Sequence, residues 1–290
     1  MAETATVSKC TLTWAQRRAV SIDTINRTPD IVAEHTSQGA TLDSTFLSEQ
    51  MKALPELSTT QTEARKASRV EVINSDSFTL ARRLIDEDTE NATGKVAVLN
   101  LASDRYPGGG WDTTLSKTQE EALCYSSTLF RTLLPSYYPW PNRGPKSVAG
   151  VYSPGVVIFK DDLDHDCVDL PTTDRRIVSV ITVAAPCAPP LTPDKQLFML
   201  ERDLRDLREK IRLVYRMAAW DGRTILVLGA MGCGAYACPP RLVASEMRDI
   251  LLEPEFKARF TKIVFAVYSV PGNGERNFSV FRDVFQDVEV

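Results

Sequence analysis

The apolar positions of this chain change rhythm along its length. Over residues 11–35, Leu12, Trp14, Ala15, Val20, Ile22, Ile25, Ile31 and Val32 recur at mostly helical spacing, with Arg17, Arg18 and Asp23 on another face. That pattern predicts a helix. Residues 36–61 turn to Ser, Thr and Gln with scattered Leu and Met, which predicts a loop with a short helix. From about residue 68, short apolar runs alternate with amphipathic stretches. Runs at 70–73, 96–100, 177–183, 224–228 and 263–268 read as strands. Residues 150–152 and 156–159 read as two short strands flanking a turn or bend at Ser153-Pro-Gly155. Helices are expected at 76–86, 117–134, some twenty residues within 194–220, 240–252 and 277–286. The 117–134 helix would turn Ala122, Leu123, Leu129, Phe130 and Leu133 inward. Strands that are apolar throughout are buried on both faces, so the order predicts an α/β fold with helices covering both sides of a sheet.

Composition narrows the classes. A net charge of −4 gives no general basic surface for nucleic acid or membrane, so a ligand must be held by local groups. No apolar run approaches the ~18 residues of a membrane span. The N-terminus lacks a basic start followed by an apolar stretch, so no signal peptide is expected. Six cysteines without a CxxC pair read as free thiols. Together these predict a protein of the cytoplasm or nucleus. Only His35 and His165 are present, which disfavours a histidine-rich metal centre and Ser–His or Cys–His catalysis. Asp162-x-Asp164-x-Asp166 begins like a calcium loop, but its sixth position is Cys167 and its twelfth is Thr173. It reads as a solvated acidic loop, and no metal is expected.

The chemistry concentrates in two strand-end loops, where α/β folds bind ligands. In the first, the strand ending at Asn100 runs into Gly108, Gly109 and Gly110, and Gln119, Glu120 and Glu121 follow a short linker. Glycines let backbone approach a ligand closely. Carboxylates beyond them can do acid–base chemistry, as on a phosphorylated sugar. Thr118 and Glu121, or Ser116 and Gln119, also fit a helix capping box, which would explain one acidic residue without catalysis. Adjacent helical residues point about 100° apart, so one glutamate is expected to act and the other to orient substrate. A glutamic acid donating a proton near neutrality needs a raised pKa, which burial and a neighbouring carboxylate favour. In the second loop, Gly229, Gly232 and Gly234 can turn backbone N–H groups toward a diphosphate, helped by the following helix. Tyr236 is placed to cover a sugar. Asn277 and Phe278 sit shortly after the last strand, where an aromatic ring can meet a base, although Phe278 also reads as core.

Pro107-Gly-Gly-Gly110 with Gln119-Glu-Glu121 resembles the signature of the smaller, microbial-type poly(ADP-ribose) glycohydrolases of bacteria and fungi. Asn100-Leu-Ala-Ser103, Ser126-Ser-Thr-Leu-Phe130, the stretch 151–161 and Gly229-Ala-Met-Gly-Cys-Gly-Ala-Tyr236 follow the family's order. The resemblance implies a macrodomain-like three-layer fold, a mixed sheet between helices. Residues 65–290 would be the catalytic domain and 1–64 an N-terminal helical extension. It implies hydrolysis of ribose–ribose O-glycosidic bonds in poly(ADP-ribose), free or on protein, to release ADP-ribose, a reversal of ADP-ribosylation that serves the DNA damage response. No cofactor, metal, membrane or direct nucleic-acid partner is implied, and a monomer is expected. By carry-over Glu121 is the general acid/base, and Glu120 holds ribose hydroxyls. Asn100, Gly108, Gly109, Gly110 and Gln119 bind substrate, with the glycines and Asn100 around the distal ribose. Gly232, Cys233, Gly234 and Tyr236 wrap the diphosphate, and Asn277 and Phe278 lie near adenine. A non-catalytic reader of ADP-ribose and a hydrolase of mono-ADP-ribosyl groups are the alternatives. Two departures stand out: the 111–118 linker has no glycine where the family usually has glycine or alanine, and Ala237-Cys238 replaces a common Gly-Asn. A positive φ at Ala237 would be strained.

Overall fold

A computed structural model of the chain describes residues 10–57 and 68–290. Seven strands form one sheet: β1 (Thr45–Leu47), β2 (Glu71–Ile73), β3 (Val96–Leu101), β4 (Gly150–Ile158), β5 (Arg176–Val183), β6 (Ile225–Leu228) and β7 (Lys262–Ala266). Their order is β1-β4-β5-β3-β6-β7-β2. The five strands from β5 to β2 are parallel, and β4 and β1 run antiparallel at one side. The helices are α1 (Trp14–His35), α2 (Ser77–Glu87), α3 (Thr89–Ala92), α4 (Trp111–Thr114), α5 (Gln119–Ser126), α6 (Glu201–Trp220), α7 (Pro240–Leu251) and α8 (Glu275–Phe285). The apolar residues of α6, α7 and α8 join one face of the sheet in a single core. Those of α2, α5 and the α1 side join the other. The predicted three layers are therefore present.

Local chemistry explains the element boundaries. Thr13 caps α1 through a capping box with Gln16. Asp76 caps α2 by accepting from the N–H groups of Phe78 and Thr79. The expected 117–134 helix ends instead at Ser126. Ser127 is extended, its hydroxyl donates to the Leu123 carbonyl and accepts from Leu129 N–H, and a 3-10 turn follows at Leu129–Thr132. A serine that bonds its own backbone competes with helix propagation. Residues 150–158 form one strand where two were expected. Its register shifts between Ser153 and Val156, so the Pro-Gly pair makes a bulge and not a turn. In the 36–61 stretch the predicted short helix is a 3-10 turn at Thr36–Gln38, and the pairing of β1 with β4 had no legible signal. The expected boundary at residue 64 lies outside the described residues.

The parallel order fixes the site. β3 lies between β5 and β6, so the loops leaving the C-terminal ends of β3, β5 and β6 emerge side by side.

Candidate active site

The first loop leaves β3 at Leu101 and reaches three glycines with φ of +60°, +64° and +76°. L-residues with side chains resist three such values in succession. Space makes the same demand. A Cβ on Gly109 would lie 2.5 Å from Glu121 Oε1 and 3.1 Å from Glu120 Oε2. One on Gly108 would meet Trp111 at 2.8 Å. The glycine turn thus lies directly against both carboxylates, because only backbone fits there.

Both glutamates open α5 and both are buried. Glu120 accepts from Ser103 N–H at 2.7 Å and from Asn100 Nδ2 at 3.1 Å. Burial nevertheless pushes its carboxyl up to about 8, and the Glu121 charge adds to the rise. The rise favours the protonated form of Glu120 near neutral pH. Glu121 accepts a hydrogen bond from the Thr118 hydroxyl. Thr118 is the N-cap of α5, but its hydroxyl caps no backbone N–H. The capping-box alternative therefore fails: the threonine faces the acid.

Asn100 is fully buried at the end of β3. Its Nδ2 donates to Glu120 and to Thr182 Oγ1, while its Oδ1 has no partner among the described residues. Gln119 has another job than the expected contact with ligand. Its Oε1 accepts from Leu101 N–H at 2.8 Å, and its Nε2 donates to the Leu99 carbonyl at 2.8 Å and to Ser77. The amide is occupied in fastening α5 to β3.

The glycine-free linker adopts the short helix α4, and Leu115 then takes φ +52°. Two contacts hold this left-handed residue. Its side chain is fully buried, and its carbonyl accepts from Arg17 Nε of α1 at 2.8 Å. The N-terminal helix thus braces the linker that carries Thr118 to the acid.

The second loop leaves β6 beside the first. Among the described residues, the N–H groups of Gly232, Gly234, Ala235 and Tyr236 have no partner within the protein. They form a set of donors suited to an anion. The expected contribution from the next helix is reduced, because Pro239 and Pro240 open α7 without N–H groups. Gly232 has φ +73°, and a Cβ there would lie 2.5 Å from that of Ala185. Ala237 does adopt the strained conformation, at φ +56°. The Tyr236 hydroxyl donates to Asp104 Oδ1 at 2.7 Å and so ties this loop to the first. Asn142 extends the tie, donating to Asp104 at 3.0 Å and to the Ala185 carbonyl at 2.9 Å. Ser103 was signalled only as part of the Asn100-Leu-Ala-Ser103 stretch and Asp104 only by its place in the loop, and Asn142 had no sequence signal.

Asn277 Nδ2 donates to the Cys233 carbonyl at 3.4 Å, which brings α8 to the second loop. Phe278 is half-buried against the core, with Arg282 over its ring. Away from this cleft, Asp162 is buried and accepts from Thr79 Oγ1, from the N–H groups of Asp164 and His165, and bonds His165 Nδ1. The acidic segment is thus partly a structural turn and not a wholly solvated loop. No helix among the described residues is long and apolar enough to cross a membrane.

Known proteins match this arrangement. The family model for the microbial-type PARG catalytic domain matches residues 22–161, a span that begins within α1. A search of curated proteins returns no significant match. The poly(ADP-ribose) glycohydrolase of Thermomonospora curvata, solved with the inhibitor ADP-HPD, is similar with a TM-score of 0.72 and 28% identity. That similarity covers 93% of this chain and 99% of that one. The Deinococcus radiodurans poly(ADP-ribose) glycohydrolase, solved in complex with ADP-ribose, gives a TM-score of 0.62 and 33% identity. There 78% of this chain and 89% of that one are covered. With the family model matching the span that holds the glycine turn and paired glutamates, and 33% identity across 89% of the Deinococcus enzyme, the chain belongs to the microbial-type poly(ADP-ribose) glycohydrolases, glycosidases that act on poly(ADP-ribose).

Proposed function

We propose that this chain hydrolyses the ribose–ribose bonds of poly(ADP-ribose) and releases ADP-ribose, with Glu121 as general acid and base. The observation that carries this reading is the contact of Gly109 with Glu121. A sugar seated on the glycine turn has the Glu121 carboxyl at its edge, with no intervening side chain. Glu121 protonates the oxygen of the leaving ribose as the bond breaks. An oxocarbenium-like centre develops, and the same carboxylate then takes a proton from the attacking water. Thr118 holds the Glu121 side chain in place. Protonated Glu120 binds a hydroxyl of the leaving ribose, and the free Oδ1 of Asn100 accepts a hydroxyl of the distal ribose. The open N–H groups of the second loop receive the diphosphate under Tyr236. Asn277 and Phe278 border the adenine. The protein acts as a monomer, in the cytoplasm or nucleus, on free or protein-linked polymer.

The test is incubation of Glu121→Gln and the unaltered protein with purified polymer. Release of ADP-ribose should fall about a hundredfold to ten-thousandfold, the usual contribution of a general acid. Binding of ADP-ribose by calorimetry should stay within a few-fold. Binding without turnover in the unaltered protein would make it a reader. Release from singly modified protein but not from polymer would make it a mono-ADP-ribosyl hydrolase.

A further inference from the structure

One part of the first loop has no role in the reading above. Arg105 and Tyr106 lie between the Glu120-binding Ser103 and the glycine turn, and both side chains are exposed. Tyr106 is 64% exposed. Its backbone is held at both ends: its N–H donates to Ser103 Oγ, and its carbonyl accepts from Gly109 N–H at 3.1 Å. Arg105 N–H donates to the same Ser103 oxygen at 3.0 Å. Neither the Arg105 guanidinium nor the Tyr106 hydroxyl has a partner among the described residues. Core packing therefore does not explain either side chain, yet the backbone fixes where both stand.

That place is the acid's rim of the cleft. Tyr106 is bonded to Gly109, and Gly109 lies against Glu121. On the linker, Lys117 precedes the Thr118 that touches Glu121, is also exposed, and has no ion-pair partner among the described residues. Two cations without an ion-pair partner among the described residues and one exposed aromatic ring thus stand on the two segments whose backbones lead to the Glu121 contacts, on a chain whose net charge is −4. The acid marks the side from which the leaving group departs. In a polymer of ADP-ribose that group is another unit, with an adenine ring and a diphosphate.

We propose that Arg105 and Tyr106, with Lys117 of the linker, form a subsite for the ADP-ribose unit on the leaving side of the scissile bond. The Tyr106 ring stacks on its adenine, and the two cations pair with its diphosphate. Base stacking on an exposed aromatic is strong and tolerant of geometry, and a guanidinium matches diphosphate oxygens. The subsite makes the protein prefer polymer over substrates whose leaving group lacks a nucleotide. This proposal rests on the glycohydrolase reading.

The experiment compares Tyr106→Ala, Tyr106→Trp, Arg105→Ala and the unaltered protein on polymer, with ADP-ribose binding measured alongside. Tyr106→Ala and Arg105→Ala should raise KM for polymer about tenfold and leave kcat within twofold. Tyr106→Trp should keep the original KM, because it keeps a stacking face. Affinity for free ADP-ribose, which occupies only the distal side, should be the same in all four. An unchanged polymer KM in Tyr106→Ala and Arg105→Ala, with the unaltered protein active, would overturn the subsite. A parallel loss of ADP-ribose affinity would overturn it too, by moving these residues to the distal side. Absence of polymer cleavage by the unaltered protein would instead overturn the underlying glycohydrolase reading.

Discussion

At the scale of single residues, the site is built from small differences in what each side chain touches. Glu120 and Glu121 are neighbours in sequence, but Glu120 faces Ser103 and Asn100 while Glu121 faces Thr118 and Gly109. The Thr118 hydroxyl fixes one oxygen of Glu121 and leaves the other over the glycine turn. Removing that donor in Thr118→Val should lower kcat on polymer about tenfold, from the loss of one hydrogen bond that positions the acid. KM should change less than twofold. Thr118→Ser keeps the hydroxyl and should restore most of the rate. Equal rates for the valine and serine variants in steady-state kinetics would exclude this role. The glycines and both acids were legible as residue types in the sequence. The fastening of α5 to β3 by the Gln119 amide was not legible at this scale, because an amide that binds ligand and one that fastens a helix to a strand look alike until the backbone partners are known.

At the scale of elements, α1 is the part of the molecule whose importance was least visible. It reads as an extension, yet Arg17 donates to the Leu115 carbonyl and, at 2.6 Å, to that of Leu12. Thr24 of the same helix donates to the Tyr125 carbonyl of α5 at 3.0 Å. A left-handed leucine costs about 1–2 kcal/mol relative to an ordinary conformation. The α1 contacts and the buried leucine side chain offset that cost, where glycine would have avoided it. Arg17→Leu should therefore destabilise the fold by about 1–2 kcal/mol in denaturant titrations. It should also lower kcat on polymer several-fold while ADP-ribose affinity is kept. A variant that loses stability with no change in kcat would reduce Arg17 to a packing role. Most helices and strands were legible from periodicity. The exceptions share a distant component: the break at Ser127 adds a bridge to Ile158 of β4 to its local serine bonds, and the bulge at Ser153–Val156 lies in the register of β4 against β5, and no local pattern encodes those partners.

At the scale of the whole molecule, burial of ionisable groups links the site to stability. Glu120 rises to about 8 by desolvation and Asp76 to about 6, also by desolvation first. Each carboxyl binds its proton more tightly in the folded chain. The associated stability is therefore full below the ordinary carboxylate range and is lost as pH rises through the folded value. Lys210 is pulled down to about 8 by burial and acts in the opposite sense at higher pH, its share being lost as pH falls toward that value. Stability should thus decline between pH 5 and 8. Glu120→Gln, which keeps the volume and removes the titration, should flatten that decline by on the order of 3 kcal/mol. Urea unfolding of both proteins across pH 5–9 measures it. Parallel pH profiles would show that Glu120 carries no such load.

By itself the sequence determined the alternation of buried strands and amphipathic helices, the two glycine loops at strand ends, and the acids behind the first. These are local properties, set by apolar periodicity and by which residues tolerate positive φ. Only the tertiary structure decided that the strand order brings the loops of β3 and β6 together, and that Thr118 faces an acid instead of a helix end. It also decided how a linker without glycine is held. Those outcomes depend on partners distant in the chain, such as Arg17 with Leu115 or Tyr236 with Asp104, which meet only when the sheet has closed its order.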